Sequence, residues 1–147
     1  MQSIKVFKTN ENYKIVTLYL REHSAYMLSK PIFLLSTDSS KEEIANKLLE
    51  ALEASRVIKE FEEDNFWLGN KLLKLLKEKS FEKLYFNCTS CSVRLRGNNI
   101  EIMPYKYAGY KQGMTEVQED VLIMPYNIND KTLIIDKVLE VLKKRYT

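Results

Sequence analysis

The first third of the chain consists of short apolar runs separated by polar turns, which is the pattern of β-strands. Residues 13–20 combine β-branched and aromatic side chains with partial alternation. Shorter apolar runs predict further strands at 4–7, 26–28 and 32–35. Pro31 separates the last two. Because a proline cannot donate to a central ladder, it marks a strand start or the edge of a sheet.

Residues 39–56 carry the clearest helical pattern. Ser39 and Ser40 stand three residues before Glu42 and Glu43, which is the spacing of a capping box in two registers. The apolar residues that follow recur at helical spacing, as on the buried side of a helix. These residues are Ile44, Leu48, Leu49 and Leu52. The pattern therefore predicts one well-capped helix that packs against the strands.

A second helix is predicted over residues 65–79, with its leucines facing inward. Lys71, Lys74 and Lys77 share its opposite side, where lysine stems cover apolar surface and their charged ends reach water. Such a lysine stripe is typical of a solubilising face, and contact with an anionic partner is its alternative. A final helix is predicted to begin near Asn129 or Asp130.

The pattern from residue 81 to 126 predicts an antiparallel meander. Gly97 and the asparagines after it separate residues 93–96 from 100–103, a strong signal for a β-hairpin. Residues 100–105 and 121–126 are near-copies, IEIMPY and VLIMPY, and each predicts a strand stopped by its proline.

The order of these elements is strands, two helices, more strands and one helix. Because strands and helices do not alternate, a doubly wound parallel sheet is disfavoured. We expect an α+β fold in which a mainly antiparallel β-sheet packs against about three helices. A chain of 147 residues fits one domain, residues 1–147.

Composition and charge narrow the functional classes. Apolar residues make up 45% of the chain and charged residues 29%, as in an ordinary globular protein. The net charge of +3, from 23 basic and 20 acidic residues, is too even to favour a nucleic-acid partner. The amino terminus has no apolar signal segment, and no apolar run approaches the ~20 residues that span a bilayer. We expect a cytoplasmic location and no membrane partner.

Cys88 and Cys91 are the only cysteines, and their C-x-x-C spacing has three interpretations. They could form a redox pair or half of a zinc site, or remain reduced structural thiols. A zinc site needs about four ligands, and the single histidine, His23, is far away in sequence and predicted to lie in an exposed turn. The pair is predicted to lie in the turn of a hairpin between residues 84–86 and 93–95. Reduced structural thiols are therefore favoured.

No catalytic set stands out in the sequence. The four glycines do not form a phosphate-binding loop, and a serine or cysteine nucleophile would have only His23 as its base. We predict no enzyme activity, no cofactor and no metal. The alternative is a small enzyme with Cys88 or Cys91 as nucleophile.

Tyrosine is the unusual component, at nine residues. Tyr105, Tyr107, Tyr110 and Tyr126 surround two predicted strand ends and the loop between them. Tyrosine is enriched at binding hot spots. We expect Tyr107 and Tyr110, in a glycine-bearing loop, to contact a partner. Tyr105 and Tyr126 could equally cap the core.

The order of elements and two short motifs resemble a family of bacterial immunity proteins from contact-dependent growth inhibition (CDI) systems. In that family a strand region leads to a helix like residues 44–56, IANKLLEALEASR. A strand-rich part follows, with strand ends such as Ile102-Met-Pro104 and Ile123-Met-Pro125, and a helix comes last. Typical members have Leu-Gly at the start of the first helix, where this chain has Ile44-Ala45.

The resemblance implies a binding protein with no enzyme activity. It would bind and block the toxic C-terminal domain of a cognate secreted effector of the CdiA type, commonly a nuclease, in the cytoplasm. A basic nuclease cleft would be met by an acidic patch. We therefore predict toxin-binding residues in three places: the acidic run Glu60, Glu62, Glu63 and Asp64; the loop residues Tyr107 and Tyr110; and Arg56. Arg56 and Ser55 have a second interpretation, in which they satisfy the end of the helix.

A single-stranded nucleic-acid-binding module is the alternative class. Stacking aromatics interleaved with lysine suit single strands. Lys106, Tyr107, Tyr110 and Lys111 supply both, together with the lysines of the second predicted helix. The nearly balanced charge argues against it.

Overall fold

The computed structural model describes residues 1–22, 26–59 and 62–146. Its strands are β1 (Gln2–Lys8), β2 (Asn12–Arg21), β3 (Met27–Ser36), β4 (Val57–Ile58), β5 (Thr89–Arg96), β6 (Asn99–Tyr107), β7 (Met114–Glu116) and β8 (Leu122–Pro125). Its helices are α1 (Lys41–Ala54), α2 (Glu63–Phe66), α3 (Lys71–Leu76), α4 (Phe81–Phe86) and α5 (Lys131–Lys143). Within these residues, no helix is long and apolar enough to cross a membrane. His23 lies outside the described residues.

One sheet forms the frame of the molecule. Its strands follow the order β3-β2-β1-β5-β6-β7, while β8 also pairs with β6 and β4 pairs with β2. Every neighbouring pair is antiparallel except the short β2–β4 pair. The predicted α+β class with a mainly antiparallel sheet is confirmed.

The predicted hairpin and first helix are confirmed. Gly97, at a φ of +59°, lies in the two-residue turn between β5 and β6, where a positive φ favours glycine. The Ser40 hydroxyl accepts a hydrogen bond from the Glu43 amide at 3.1 Å and so begins α1. Helix α1 ends where the amide of Ser55 donates to the Leu52 carbonyl.

Helices α1 and α5 cover one face of the sheet, which we call the first face. Successive strand residues point to opposite faces, so Ile4 and Val6 of β1 contact these helices while Lys5 and Phe7 point away. The cluster between them is almost entirely apolar. Its fully or nearly fully buried members include Ile15, Leu48, Leu52, Ile100, Ile102, Ile134 and Val138.

The opposite face, which we call the second face, is only partly covered. Helices α3 and α4 pack there on Phe7 and Val16, and Tyr85 of α4 stacks on the Phe7 ring at 6.2 Å between centroids. Among the described residues, no member of this cluster comes from β5 or β6. The second face of those two strands therefore lies beyond the apolar core.

The predicted single helix over residues 65–79 is wrong. Helix α2 ends at Phe66, and α3 begins only at Lys71. Gly69 adopts a φ of +53° between them, a left-handed conformation that interrupts a helix. Lys77, at a φ of +55°, then ends α3. Lys71, Lys74 and Lys77 are exposed, as expected of a solubilising stripe.

The predicted strand at 84–86 is also wrong, because these residues belong to helix α4. Ser80 caps that helix by accepting a hydrogen bond from the Lys83 amide at 3.1 Å. Phe81, Leu84 and Cys88 then recur at helical spacing and pack into the second-face cluster. Helical spacing outweighs the β propensity of the short aromatic run.

The two prolines predicted to stop strands behave differently. Pro125 ends β8, but β6 continues through Pro104, whose carbonyl accepts a hydrogen bond from the Val117 amide at 2.9 Å. The near-copies pair with each other, with Ile100 opposite Met124.

Pro31 lies in the edge strand β3, as its missing donor requires. Residues 27–36 form one strand here, where two were predicted. The pairing with β2 shifts at this point, since Val16 faces Ile32 while Thr17 faces Ser29. The edge is therefore interrupted by a bulge.

Lys14 is a buried charged residue that fixes the end of α3. Its side chain is 1% exposed, and its Nζ donates to the Leu76 carbonyl at 2.7 Å. The same Nζ lies 3.4 Å from a carboxylate oxygen of Glu78. A buried ammonium group needs such partners because it has left water.

A candidate partner-binding surface

Polar side chains occupy the second face where β1, β5, β6 and β7 lie side by side. Pairing places Lys5 opposite Ser92, and Tyr105 opposite Glu116. Arg94 lies two residues beyond Ser92 and so shares this face. We call these five residues the polar sheet face. No apolar cluster of the described residues includes any of them.

Glu116 holds this group together. One of its carboxylate oxygens accepts a hydrogen bond from Arg94 Nη2 at 3.2 Å and another from the Tyr105 hydroxyl at 3.4 Å. Its second oxygen accepts from Gln118 Nε2 at 3.3 Å. The side chains of Arg94 and Glu116 are 12% and 31% exposed. The carboxylate is therefore shared among three donors.

Buried polar atoms without an internal partner gather at this face. Among the described residues, the hydroxyls of Ser3 and Ser90 and the Nε of Arg94 are buried and have no hydrogen-bond partner. Tyr26 lies over the Arg94 guanidinium, with 4.8 Å from Cζ to the ring centroid. Most buried polar groups in proteins are satisfied, so this face is an unusual part of the protein interior.

Lys5 has aromatic neighbours in place of a counter-ion. Its Nζ lies 3.6 Å from the centroid of the Tyr105 ring and 5.7 Å from that of Phe7. No carboxylate of the described residues forms an ion pair with it. Burial lowers the pKa of Lys5 to about 8; the negative charge of Glu116 acts against this shift, and the positive charge of Arg94 adds to it. Burial also raises the pKa of Tyr105, so its hydroxyl keeps its proton.

Tyr107 and Tyr110 lie next to this surface. Tyr107 follows Tyr105 on the same side of β6, and its ring meets Phe86 edge-on at 6.3 Å between centroids. Tyr110 lies in the loop beyond β6 and is 79% exposed. Their role as toxin contacts remains a prediction; Tyr107 continues the polar sheet face along β6, and Tyr110 lies in the loop that follows.

The predicted acidic run lies at a different corner. Glu60 is outside the described residues, and Asp64 is placed in α2 without a described side chain. Glu63 pairs with Arg21, at 3.5 Å between carboxylate oxygen and Nε. Glu62 accepts a hydrogen bond from the Lys59 amide at 3.2 Å. Part of the negative charge is therefore already balanced within the chain.

Arg56 belongs to the same corner as the acidic run. Its guanidinium lies 5.0 Å from the centroid of Phe66, and its carbonyl accepts a hydrogen bond from the Leu20 amide at 3.0 Å. Trp67 beside it is 63% exposed. Ser55 is 1% exposed, and its hydroxyl accepts from the Ser3 amide at 2.9 Å. Ser55 is therefore structural, whereas the Arg56 side chain is exposed.

The structure separates the two parts of the predicted site. Tyr105 is level with Lys14 in the sheet register, whereas Val57, next to Arg56, pairs with Leu20. Six residues along a strand and two strand spacings correspond to about 20 Å and about 10 Å. The acidic corner and the tyrosine loop therefore lie at diagonally opposite corners of the sheet.

The cysteines do not form a site together. Cys88 packs in the second-face cluster and Cys91 in the first-face cluster, so the sheet lies between their side chains. Both are free and buried, and burial raises the pKa of each thiol to about 12. A reactive cysteine needs a thiolate. In the described part of the chain, no group of three or more metal-ligating side chains is present.

None of the sequence patterns pointed to Lys5, Arg94 or Glu116 as site residues. The signal was present as a period of two: Ser3 and Lys5 alternate with Ile4 and Val6, and Ser92 and Arg94 alternate with apolar neighbours in β5. Only the strand pairing shows that these polar residues share one face.

These features describe a small α+β protein with a partly buried polar surface on one face of its sheet. Two solved structures have the same fold. One is a protein of unknown function from Neisseria meningitidis, with a TM-score of 0.77, 18% identity, and coverage of 99% of this chain and 95% of that one. The other is a CdiA-CT/CdiI toxin and immunity complex from Yersinia pseudotuberculosis, with a TM-score of 0.74, 17% identity, and coverage of 99% and 97%.

The family model for CdiI, the CDI immunity protein, matches residues 2–133. The chain therefore belongs to the CDI immunity protein family, and the predicted resemblance is confirmed. No curated protein matches the sequence.

Proposed function

We propose that this protein binds the C-terminal toxin domain of its cognate CdiA-type effector and neutralises it by covering the active site or the path of the substrate. The family match over residues 2–133 carries this proposal. The Yersinia structure of similar fold contains a toxin together with its immunity protein, which supports the same class of partner.

The toxin is proposed to be a nuclease, which rests on the family resemblance. A nuclease needs a cleft open to a nucleic acid, and a bound protein that buries roughly 1,600 Å² in total would close such a cleft. Complementary charge would speed the encounter. The matching assay is degradation of RNA and DNA by the free toxin domain, and its suppression when this protein is added.

The protein acts in this proposal by binding and not by catalysis. Cys88 and Cys91 would be the nucleophiles of the alternative enzyme, but their raised pKa leaves them as neutral thiols near pH 7. Mild alkylation should therefore leave toxin binding unchanged.

Two surfaces are proposed to meet the toxin. The first is the polar sheet face with Tyr107 and Tyr110 beside it. The second is the corner around Arg56 with the acidic run Glu60, Glu62, Glu63 and Asp64. A standard interface of about 800 Å² per partner is about 30 Å across, so a toxin that reached both would have to span most of the sheet.

Co-purification tests the proposal directly. This chain would be the bait, and the C-terminal domain of the effector encoded beside its gene would be the prey. We expect a stable complex of one copy each and loss of toxicity in cells that express both. Absence of a complex with a domain that is toxic in the same cells would contradict the proposal.

The same preparation tests the nucleic-acid alternative. Lys106 and Tyr107 are adjacent on β6 and point to opposite faces, so they do not form one stacking platform. We expect no salt-dependent binding of a single-stranded oligonucleotide.

A further inference from the structure

Lys5 and Arg94 place two positive charges side by side on the polar sheet face. They are diagonal neighbours on adjacent strands, since Lys5 faces Ser92 and Ser3 faces Arg94. Such neighbours lie about 7–8 Å apart, within reach of long side chains. Glu116 is the one carboxylate of the described residues that pairs with either of them, and it contacts Arg94 alone. The pair therefore has one positive charge in excess.

We propose that this pair is a receptor for a carboxylate of the toxin domain, which would pair with Lys5 Nζ in the positive field of the Arg94 guanidinium. The inference rests on the proposed function and names the chemistry of one contact within it. An acidic side chain presented by the toxin would supply the ion-pair partner that Lys5 lacks.

Free Lys5 is held in an unfavourable state, which is what a binding site needs. A partly buried ammonium without a counter-ion is costly, and a cation–π contact returns only about 0.5–2 kcal/mol. A carboxylate from the partner would meet an already desolvated and oriented cation. Charge-assisted hydrogen bonds of this kind are about twice as strong as neutral ones.

Glu116 does not form the ion pair that Lys5 lacks. Its oxygens already accept from Arg94, Tyr105 and Gln118. It therefore fixes the positions of Arg94 and Tyr105, and leaves Lys5 for an incoming group.

The test measures the Kd of the purified toxin domain for wild type, Lys5→Met and Lys8→Met by calorimetry. Lys8 is a matched control, because it lies on the same strand but points to the first face of the sheet, as Val6 does. We expect Lys5→Met to raise Kd at least about 30-fold, as when one partner of a desolvated charge pair is removed. Lys8→Met should stay within about threefold, the range of a rim charge.

The free Lys5→Met protein should be at least as stable as wild type, because a buried uncompensated charge is replaced by an apolar side chain. Weaker binding with an unchanged or raised Tm is therefore expected. Binding equal to wild type would overturn the proposal. Failure of wild type itself to bind would instead contradict the proposed function.

A double-mutant cycle identifies the carboxylate. Each Asp or Glu of the toxin domain is changed to its amide and measured against wild type and Lys5→Met. We expect one toxin residue whose effect disappears in the Lys5→Met background. Additive effects for every carboxylate would overturn the proposal even if Lys5→Met lowered both affinity and Tm.

The pH dependence of binding gives a further readout. The charged and titratable groups near Lys5 are Arg94, Tyr105, Glu116, Cys88 and Cys91. The thiols and Tyr105 have raised pKa values, so Lys5 is the group expected to change charge between pH 7.5 and 9. Kd should rise over that interval for wild type and stay flat for Lys5→Arg, whose charge does not titrate.

A phosphate could occupy the same site. Titration with a single-stranded RNA oligonucleotide separates this source of anion from the toxin. RNA binding that is lost in Lys5→Met, with toxin binding unchanged, would assign the site to phosphate and overturn the proposal.

Discussion

The two faces of the sheet are built on different principles. The first face buries Ile4, Val6 and their neighbours against two long helices in a nearly continuous apolar layer. The second face has a smaller cluster under short helices and then passes into Lys5, Arg94 and Glu116. The first face therefore holds the larger apolar cluster, and the second face carries the charged side chains. Substitutions on the two faces should therefore have separable effects.

The largest effect on stability is expected on the first face. Leu48→Ala removes a side chain that is 1% exposed between α1 and the sheet. We expect the free energy of unfolding to fall by about 2–5 kcal/mol, from lost burial and the cavity left behind. Denaturant unfolding measures it. Leu133→Ala on α5, where the side chain is 49% exposed, is the control and should change stability by less than about 0.5 kcal/mol. Equal losses of stability in Leu48→Ala and Leu133→Ala would contradict the expected difference between a buried and an exposed position.

The next effect concerns the helical part of the second face. Lys14→Met leaves the Leu76 carbonyl without its donor and Glu78 without its ion pair. We expect a loss of about 1–3 kcal/mol, the cost of an unsatisfied buried group. Lys74→Met, at an exposed position on α3, is the matched control. The interpretation fails if the two variants unfold at the same denaturant concentration.

A smaller, pH-dependent effect is expected at Lys5. Its pKa in the folded protein is about 8, below the ordinary value of 10.5. Unfolding therefore takes up a proton between these values, so the penalty of the buried charge is present below pH 8 and is relieved as the pH rises toward 10.5. From pH 7.5 to 9, wild type should gain about 1 kcal/mol relative to Lys5→Met.

Cys88 and Cys91 are present in both wild type and Lys5→Met, so comparing the two proteins removes the opposite contribution of the thiols to the pH dependence of stability. Cys88 and Cys91 have folded pKa values of about 12, above 9, so their contribution to stability falls as the pH rises past 9. A constant difference across the pH range would show that Lys5 is not the titrating group.

The smallest effect on folding is expected at the acidic corner. Glu62→Lys with Glu63→Lys breaks only partly exposed contacts and should change stability by less than about 1 kcal/mol. If the toxin meets this corner, its affinity should fall and become less sensitive to salt. Unchanged affinity would remove the acidic run from the proposed interface.

Tyr110→Ala, with no expected effect on stability, tests the opposite corner in the same assay.

The first face was predictable because its signals are local. Ser40 caps a helix whose apolar positions recur every three or four residues, and Leu48 is buried as that spacing requires. The helices of the second face were harder to predict. The left-handed Gly69 and the cap at Ser80 are single-residue signals inside a leucine-rich and aromatic stretch.

The candidate site was less predictable than the fold. Tyr107 and Tyr110 could be proposed from composition and their glycine-bearing loop. Lys5 and Arg94 lie 89 residues apart in sequence, and only the pairing of β1 with β5 brings them together. Their chemistry depends on burial and on the missing counter-ion, which no local pattern encodes.

The edges of the sheet limit how a partner strand could pair with this protein. A bulge and Pro31 interrupt the ladder on one side, and the other side is divided between the short strands β7 and β8. Neither edge offers a long row of free backbone groups to an incoming strand. Recognition on the faces of the sheet depends on side chains, which single substitutions can change. Proteins of this fold can therefore adapt to a changed partner by point substitutions on the faces, while the sheet itself stays the same.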